Sequence, residues 1–300
     1  MFDYSDFQQV FPAGAQLPYS KELIAKIEQS RKTLDGVLFV DRVLKALGLT
    51  KTKTYPPKSD AALRQLHQHI CDAPMSLHHK FSILYYVLLD FDEAADRSVP
   101  SESFVSASGM PSNYQIFIKG LWHLDRKQFP KALEYVAHPS LTPDFSDEIL
   151  TALIRHGDDI KLALAYYHTV RPILKSSAAL ELLFDALAQT SVTEALLFTR
   201  TFSDYTREAL FRRLVKVALD GESVPGASEI ALLPFEPEEE TWFEEYLRSS
   251  EGRNLRKAED TLLVRKITGD HITAARKYTG SGQWGPILAG IRSGTEGQDE

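Results

Sequence analysis

Along residues 117–136 the apolar side chains recur at helical spacing. Phe117, Leu121 and Leu124 fall at i, i+4 and i+7, and Phe129, Ala132, Leu133 and Val136 at i, i+3, i+4 and i+7. Between the two runs, Asp125, Arg126, Lys127 and Gln128 read as a polar connector. The pattern predicts a helical hairpin with one apolar stripe on each arm. A hairpin this short cannot bury both faces of its helices, so further helices must stack on it.

The second arm recurs. Phe129-x-x-Ala132-Leu133-x-Tyr135 is echoed by Ile160-x-x-Ala163-Leu164-x-Tyr166 and by Val192-x-x-Ala195-Leu196-x-Phe198, steps of 31 and 32 residues. Another apolar helix precedes each echo: Ile149, Leu150, Leu153 and Ile154 before one, Leu180, Leu183, Phe184 and Leu187 before the next. A period in the low thirties is that of helix-pair repeats. The small Ala lets two helices approach closely, and the Leu and the aromatic fill the space beside it. The expectation is an all-α protein, a helical bundle continuing into an irregular α-solenoid of helix pairs. An ordinary bundle in which Ala-Leu pairs merely coincide is the alternative. Substantial sheet, or Ala132, Ala163 and Ala195 facing water, would contradict the repeat reading.

Taken in order, residues 1–19, with Pro12 and Pro18, read as an extended lead-in. Residues 20–100 read as an N-terminal helical bundle. Ser20 is placed to cap a helix over 21–33, and a second over 36–47 is closed by Gly48 in a left-handed cap. A loop over 51–60 follows, then helices over 60–72 and 77–91. The last of these carries Phe81, Leu84, Tyr85, Leu88 and Leu89 and should be central. Residues 98–113, with Gly109 and Pro111, read as a polar loop. The repeat region, 112–279, is expected to pack with the bundle as one domain. In it, Thr142-Pro143 suggests a helix start, Gly157 a stop, Asp158 or Asp159 an N-cap, Pro172 a helix end, and Ser191 with Glu194 a capping box. A helix through Leu210, Leu214 and Val217 is closed by Gly221. The rhythm then breaks, because Pro225 and Gly226 stand where a partner helix is due. Residues 222–237 therefore read as a loop, followed by an acidic helix over 238–247 and helices over 255–268 and 270–279. Ile272, Ala275 and Tyr278 give a last, degraded echo.

Charge and cysteine content narrow the partners. The chain of 300 residues has a net charge of −7, with Lys and Arg scattered, so it lacks the basic stripe that phosphate contact needs. Direct DNA or chromatin binding is not expected. A single cysteine, Cys71, rules out an internal disulfide and fits a reducing compartment. No signal peptide is apparent, and the longest apolar run, 83–89, is far too short to span a bilayer.

The search for chemistry returns little. His67 and Cys71 lie four apart on one helix, with His69, His78 and His79 nearby, yet nothing completes a zinc set. Asp90, Asp92, Glu93 and Asp96 lack the glycine and terminal glutamate of a calcium loop and read as a solvated helix end. Glu236, Glu238, Glu239 and Glu240 suit the first turn of a helix. There is no phosphate-binding loop, dinucleotide fingerprint or nucleophile elbow. Trp122, Tyr135, Tyr166 and Tyr167 read as core packing. No catalytic, cofactor-binding or metal-binding residue and no small-molecule substrate is expected. Residues 280–300 form a Gly-rich tail, expected to be flexible in isolation, in which Trp284, Ile287 and Leu288 make a candidate docking motif; packing of these residues back onto the last helices is the equal alternative. Trp242, Phe243 and Tyr246 on the acidic helix are the other partner-binding candidates.

Four linked stretches carry a family resemblance: GLWHLDRKQFPKALEYVAHPSL, PDFSDEILTALIRHG, ALAYYHTVRPIL and SVTEALLFTRTF. In order and spacing, from about Gly120 to Phe202, they resemble the ELYS-type nucleoporin domain. The resemblance implies an all-helical scaffold component of the nuclear pore complex at the nuclear envelope, attached to the Y-shaped scaffold subcomplex and supporting pore assembly and nucleocytoplasmic transport. It is to the short fungal form, which is essentially this helical domain. The animal form adds a β-propeller and a C-terminal region with AT-hooks, and no stretch here has either pattern. A helical-repeat adaptor of coat or kinetochore machinery would be built on the same physics.

Overall fold

The computed structural model describes residues 2–11, 17–49, 55–94, 99–220 and 224–268. Among them every regular element is a helix. Contacts divide the chain into two compact units, residues 1–179 and 180–300.

The first unit is built on α5, Leu77–Ala94, whose residues from Lys80 to Phe91 are all buried. A helix apolar on every side must be covered on every side. The preceding helices are α1 (Phe7–Val10), α2 (Lys21–Thr33), α3 (Phe39–Ala46) and α4 (Asp60–Asp72), and α6 (Pro100–Ser108) and α7 (Ser112–Asp125) follow. Of these, α3, α4, α6 and α7 lie directly on α5. Ser20 and Ser59 cap α2 and α4 through their hydroxyls. The expected loop over 98–113 is largely helix. Pro100 starts α6, where a missing N–H costs nothing, and Gly109 ends it at φ 65°. The lead-in likewise holds the short α1, capped by Asp6.

The hairpin forms as the spacing predicts, from α7 and α8 (Phe129–Val136). Its arms touch at Gly120, where an added Cβ would lie 2.6 Å from Val136 Cγ1 and 3.1 Å from Tyr135 Cβ. The pair α9 (Ser146–His156) and α10 (Ile160–Val170) follows, with α10 also against α8. Asp159 caps α10. Pro143 does not begin α9, which starts three residues later. Ala132, Ala163 and Ala195 are each fully buried, as helix-pair packing requires.

The division falls within α11 (Ser177–Thr190). The second unit continues with α12 (Val192–Thr199), α13 (Asp204–Asp220), α14 (Val224–Leu232), α15 (Pro237–Arg248), a 3₁₀ turn over Gly252–Asn254, and α16 (Ala258–Thr268). Ser191 caps α12 as its spacing suggests. The partner helix thought lost at Pro225 is present as α14. Proline is its second residue, within the first turn, where it breaks no helical hydrogen bond. Gly226 sits 3.1 Å, measured from a built Cβ, from the Ala218 carbonyl, so it lets α14 close onto α13. The expected helix over 270–279, with Ile272, Ala275 and Tyr278, the cap at Gly221 and the tail lie outside the described residues.

Gly120→Ala is expected to lower stability by about 1–3 kcal/mol through overpacking, despite a gain of about 1 kcal/mol in helix propensity. Val136→Ala should cost less in that background than in the wild type. Strict additivity in thermal or urea unfolding would show that the hairpin contact is not the cause.

Candidate docking surface

The polar connector of the hairpin is only partly a surface feature: Lys127 is exposed, while Asp125 is buried. Asp125 is 3% exposed. Its Oδ1 accepts the Phe39 N–H at 2.6 Å, and its Oδ2 accepts the Val40 N–H at 3.0 Å and the Tyr86 hydroxyl at 2.7 Å. The first N–H groups of a helix have no partner within it, and the residue before α3 is Leu38, which has no side-chain oxygen. Asp125, some 85 residues away along the chain, supplies the cap. Asp41 completes this end by accepting the Leu38 N–H at 3.0 Å while Arg31 grips both its oxygens at 2.8 and 3.1 Å.

Asp90 is fully buried on α5 and accepts four donors. Tyr19 and Tyr55 hydroxyls reach Oδ2 at 2.8 Å each, and Trp122 Nε1 at 2.8 Å and Arg126 Nη2 at 2.5 Å reach Oδ1. The reading of Asp90 as part of a solvated helix end is therefore wrong. Its neighbours Leu88, Leu89 and Phe91 are all buried, and that apolar setting was the available signal. Burial and the adjacent carboxylates hold the Tyr19, Tyr55 and Tyr86 hydroxyls well above their ordinary range. Burial opposes the charge of Arg126, but Asp90 together with Tyr55, Tyr86 and Glu93 outweighs it and keeps the guanidinium firmly protonated. Burial pushes Asp125 up to about 7, against the pull of its three hydrogen bonds. Once protonated, its carboxyl O–H can donate a hydrogen bond to the Tyr86 hydroxyl, which turns to accept.

This network fixes the walls of an apolar groove of about 560 Å³. Val43 and Leu47 of α3 form one side, Tyr114 and Phe117 of α7 another, and Leu141 and Phe145 of the α8–α9 connector the third. A second hollow of about 230 Å³ shares Phe117 and residues 141–144 and runs to Tyr166 and Val170 of α10. Phe145 has φ 52°, an uncommon conformation for a bulky residue. It sets the ring parallel to Phe117, centroids 6.4 Å apart.

The second unit has its own buried carboxylate. Glu239 is fully buried and bridges Arg200 at 2.8 and 3.0 Å and Arg207 at 2.5 Å, and it accepts the Glu236 N–H at 2.9 Å. Burial alone would raise it, but the two guanidinium groups pull it down to about 2. Arg265 binds Glu240 side-on through Nε and Nη2, closes the end of α14 by donating from Nη1 to the Leu233 carbonyl at 2.8 Å, and lies 3.6 Å over the Phe235 ring. Among the partner-binding candidates here, Phe243 and Tyr246 are buried in the core of this unit, while Trp242 is half-buried with Arg207 over its ring. Trp284, Ile287 and Leu288 lie outside the described residues.

Among the described residues no group of three His, Cys, Asp or Glu side chains is arranged to hold a metal ion. His67 spends its Nε2 on the Tyr4 carbonyl at 2.8 Å, with Cys71 Sγ 3.7 Å away. No described helix is long and apolar enough to cross a membrane.

Residues 37–250, spanning α3 to the end of α15, match the family described as ELYS, nuclear pore complex assembly. The chain belongs to the ELYS family. It is also 24% identical, over 225 residues, to the uncharacterized protein ely5 of Schizosaccharomyces pombe, a match covering 74% of this chain and 72% of that relative. The ELYS match takes in the Asp125 and Asp90 network from α3 onward, both grooves and the Glu239 cluster. The resemblance read from four stretches, about 120–202, is thus one part of a longer ELYS domain.

Asp125 sets a pH dependence whose sign follows from its raised value. The folded state holds this proton more tightly than the unfolded chain, whose ordinary value is 3.8. Its contribution to stability is fully present below about pH 4 and is lost as pH rises through about 7. The size is on the order of 4 kcal/mol at most, at about 1.4 kcal/mol per tenfold step. Urea unfolding of Asp125→Asn across pH 4–8 should show a slope flatter than the wild type by this amount. An unchanged slope would contradict the assignment.

Proposed function

We propose that this chain is a structural, non-enzymatic subunit of the nuclear pore. In this reading it docks on scaffold nucleoporins of the Y-shaped subcomplex at the nuclear envelope and supports pore assembly and nucleocytoplasmic transport. The observation that carries the reading is the family match over residues 37–250, the family being one of nuclear pore complex assembly. The all-helical, paired architecture supports it, since stacked helices offer broad surfaces to other chains.

The contacts are proposed at Trp284, Ile287 and Leu288 of the C-terminal segment and at the half-buried Trp242 on α15. Phe243 and Tyr246, buried beneath Trp242, would act by holding α15 in place. DNA contact is not part of the proposal, because the net charge is −7 and basic side chains are scattered.

Affinity purification of the tagged chain with mass spectrometry should recover scaffold nucleoporins, and the tagged protein should mark a punctate nuclear rim. Recovery of coat or kinetochore subunits, with vesicular or centromeric foci, would replace the pore reading. Deleting residues 280–300 should reduce the recovered nucleoporins while leaving helical circular dichroism intact. Undiminished recovery would remove the tail from the interface.

A further inference from the structure

Thr142-Pro143 is the only Ser-Pro or Thr-Pro dipeptide in the 300 residues. It lies in the connector between α8 and α9, where residues 142–144 are exposed and outside regular structure. Neighbouring amides are engaged: His138 donates to the Tyr135 carbonyl, Leu141 to the His138 carbonyl, and Phe145 to Asp144 Oδ1. Among the described residues the Thr142 amide and hydroxyl have no such partner, so releasing this residue breaks no hydrogen bond. A proline at the next position also disfavours helical backbone at Thr142 and holds it toward the extended form. An extended, unpaired, exposed hydroxyl residue is what a protein kinase cleft requires. Proline adds selectivity, because it has no N–H to leave unsatisfied in a pocket that offers no acceptor.

We propose that Thr142 is a phosphoacceptor for proline-directed protein kinases, and that the phosphate closes the groove to apolar occupants. Thr142 Oγ1 attacks the γ-phosphorus of ATP. The bond from that phosphorus to the bridging oxygen of the β-phosphate breaks, ADP leaves, and the hydroxyl proton passes to a carboxylate of the kinase. The product carries a charge of about −1.5 to −2 at neutral pH. Thr142 lines both hollows, as do Phe117, Leu141, Pro143 and Asp144. A dianion there is repelled by the adjacent Asp144 carboxylate, which lines the same two hollows. Its hydration shell also fills a space otherwise fit for apolar side chains.

The test treats the full chain with ATP and a cyclin-dependent kinase as the proline-directed probe, and maps phosphate by peptide mass spectrometry. Phosphate at Thr142 is expected in the wild type, and its loss in both Thr142→Val and Pro143→Ala. The second variant keeps the hydroxyl and removes only the recognition element. An unmodified Thr142 in the folded chain, with a peptide of residues 136–148 modified under the same conditions, would overturn the site. So would undiminished modification of Pro143→Ala. For the groove, fluorescence of the neutral apolar dye Nile red should fall at least about twofold on treatment of the wild type, and stay constant for Thr142→Val. Equal dye fluorescence before and after modification of the wild type would overturn the coupling to the groove.

Discussion

The first unit depends on the burial of two carboxylates served by one turn of α7. Trp122 and Arg126 reach Asp90 on α5, and Asp125 between them reaches the start of α3. A carboxylate taken out of water without partners is costly. Here each is surrounded by donors from several elements, so the penalty is offset only when all those elements are in place. Tyr19 comes from before α2 and Tyr55 from before α4, and both end on the same oxygen of Asp90. The network thus reports on the position of chain segments far apart in sequence. Removing one partner of a buried ion pair typically costs about 3–5 kcal/mol, a large share of the about 5–15 kcal/mol that holds a domain folded. An apolar replacement of the whole set could be equally stable. What it would lack is direction, because apolar contacts do not dictate which end of α3 meets α7.

The second unit solves a related problem with the charges reversed in number. One glutamate, Glu239, sits between Arg200, which follows α12, and Arg207 of α13, and it accepts the N–H of Glu236 at the start of α15. Arg265 of α16 does for the end of α14 what Asp125 does for the start of α3. Each satisfies backbone groups at a helix end from a distant element. In both units a charged side chain from a distant helix fixes a helix terminus, which is a position that apolar packing leaves loosely defined. The helices themselves follow from periodicity, and their mutual register follows from these charges.

That division explains what could be read in the sequence. The repeat of Ala132, Ala163 and Ala195 announced close helix contacts, and the structure buries all three. The apolar faces of α5 and α7 were equally plain. Two helices, α6 and α14, read as loops from the sequence, one on Gly109 and Pro111 and the other on Pro225 and Gly226; yet Gly109 only caps α6 and Pro225 sits in the first turn of α14, and both residue types are ambiguous between a helix boundary and a break. Asp90 reads from the sequence as part of a solvated helix end and Asp125 as part of a polar connector, because a carboxylate in a charged or terminal segment usually faces water. Their donors, Tyr19, Tyr55, Phe39 and Val40, are 35 to 86 residues away. Local spacing carries no trace of a partner at that distance.

The groove was illegible for a further reason, since it exists only where α3, α5, α7 and the α8–α9 connector leave a gap. Its shape rests on Phe145, which is locally the wrong residue twice over. It holds a left-handed backbone, at about 1–2 kcal/mol for a side chain with a Cβ, and it occupies the N-cap of α9 without an oxygen to offer. Asparagine would suit both demands better. What phenylalanine supplies instead is a ring laid parallel to Phe117 at the wall of a surface hollow. Local preference and tertiary need agree almost everywhere else in this connector. They part at the one position that shapes an accessible apolar surface, which is where a sequence gains from favouring surface over local stability.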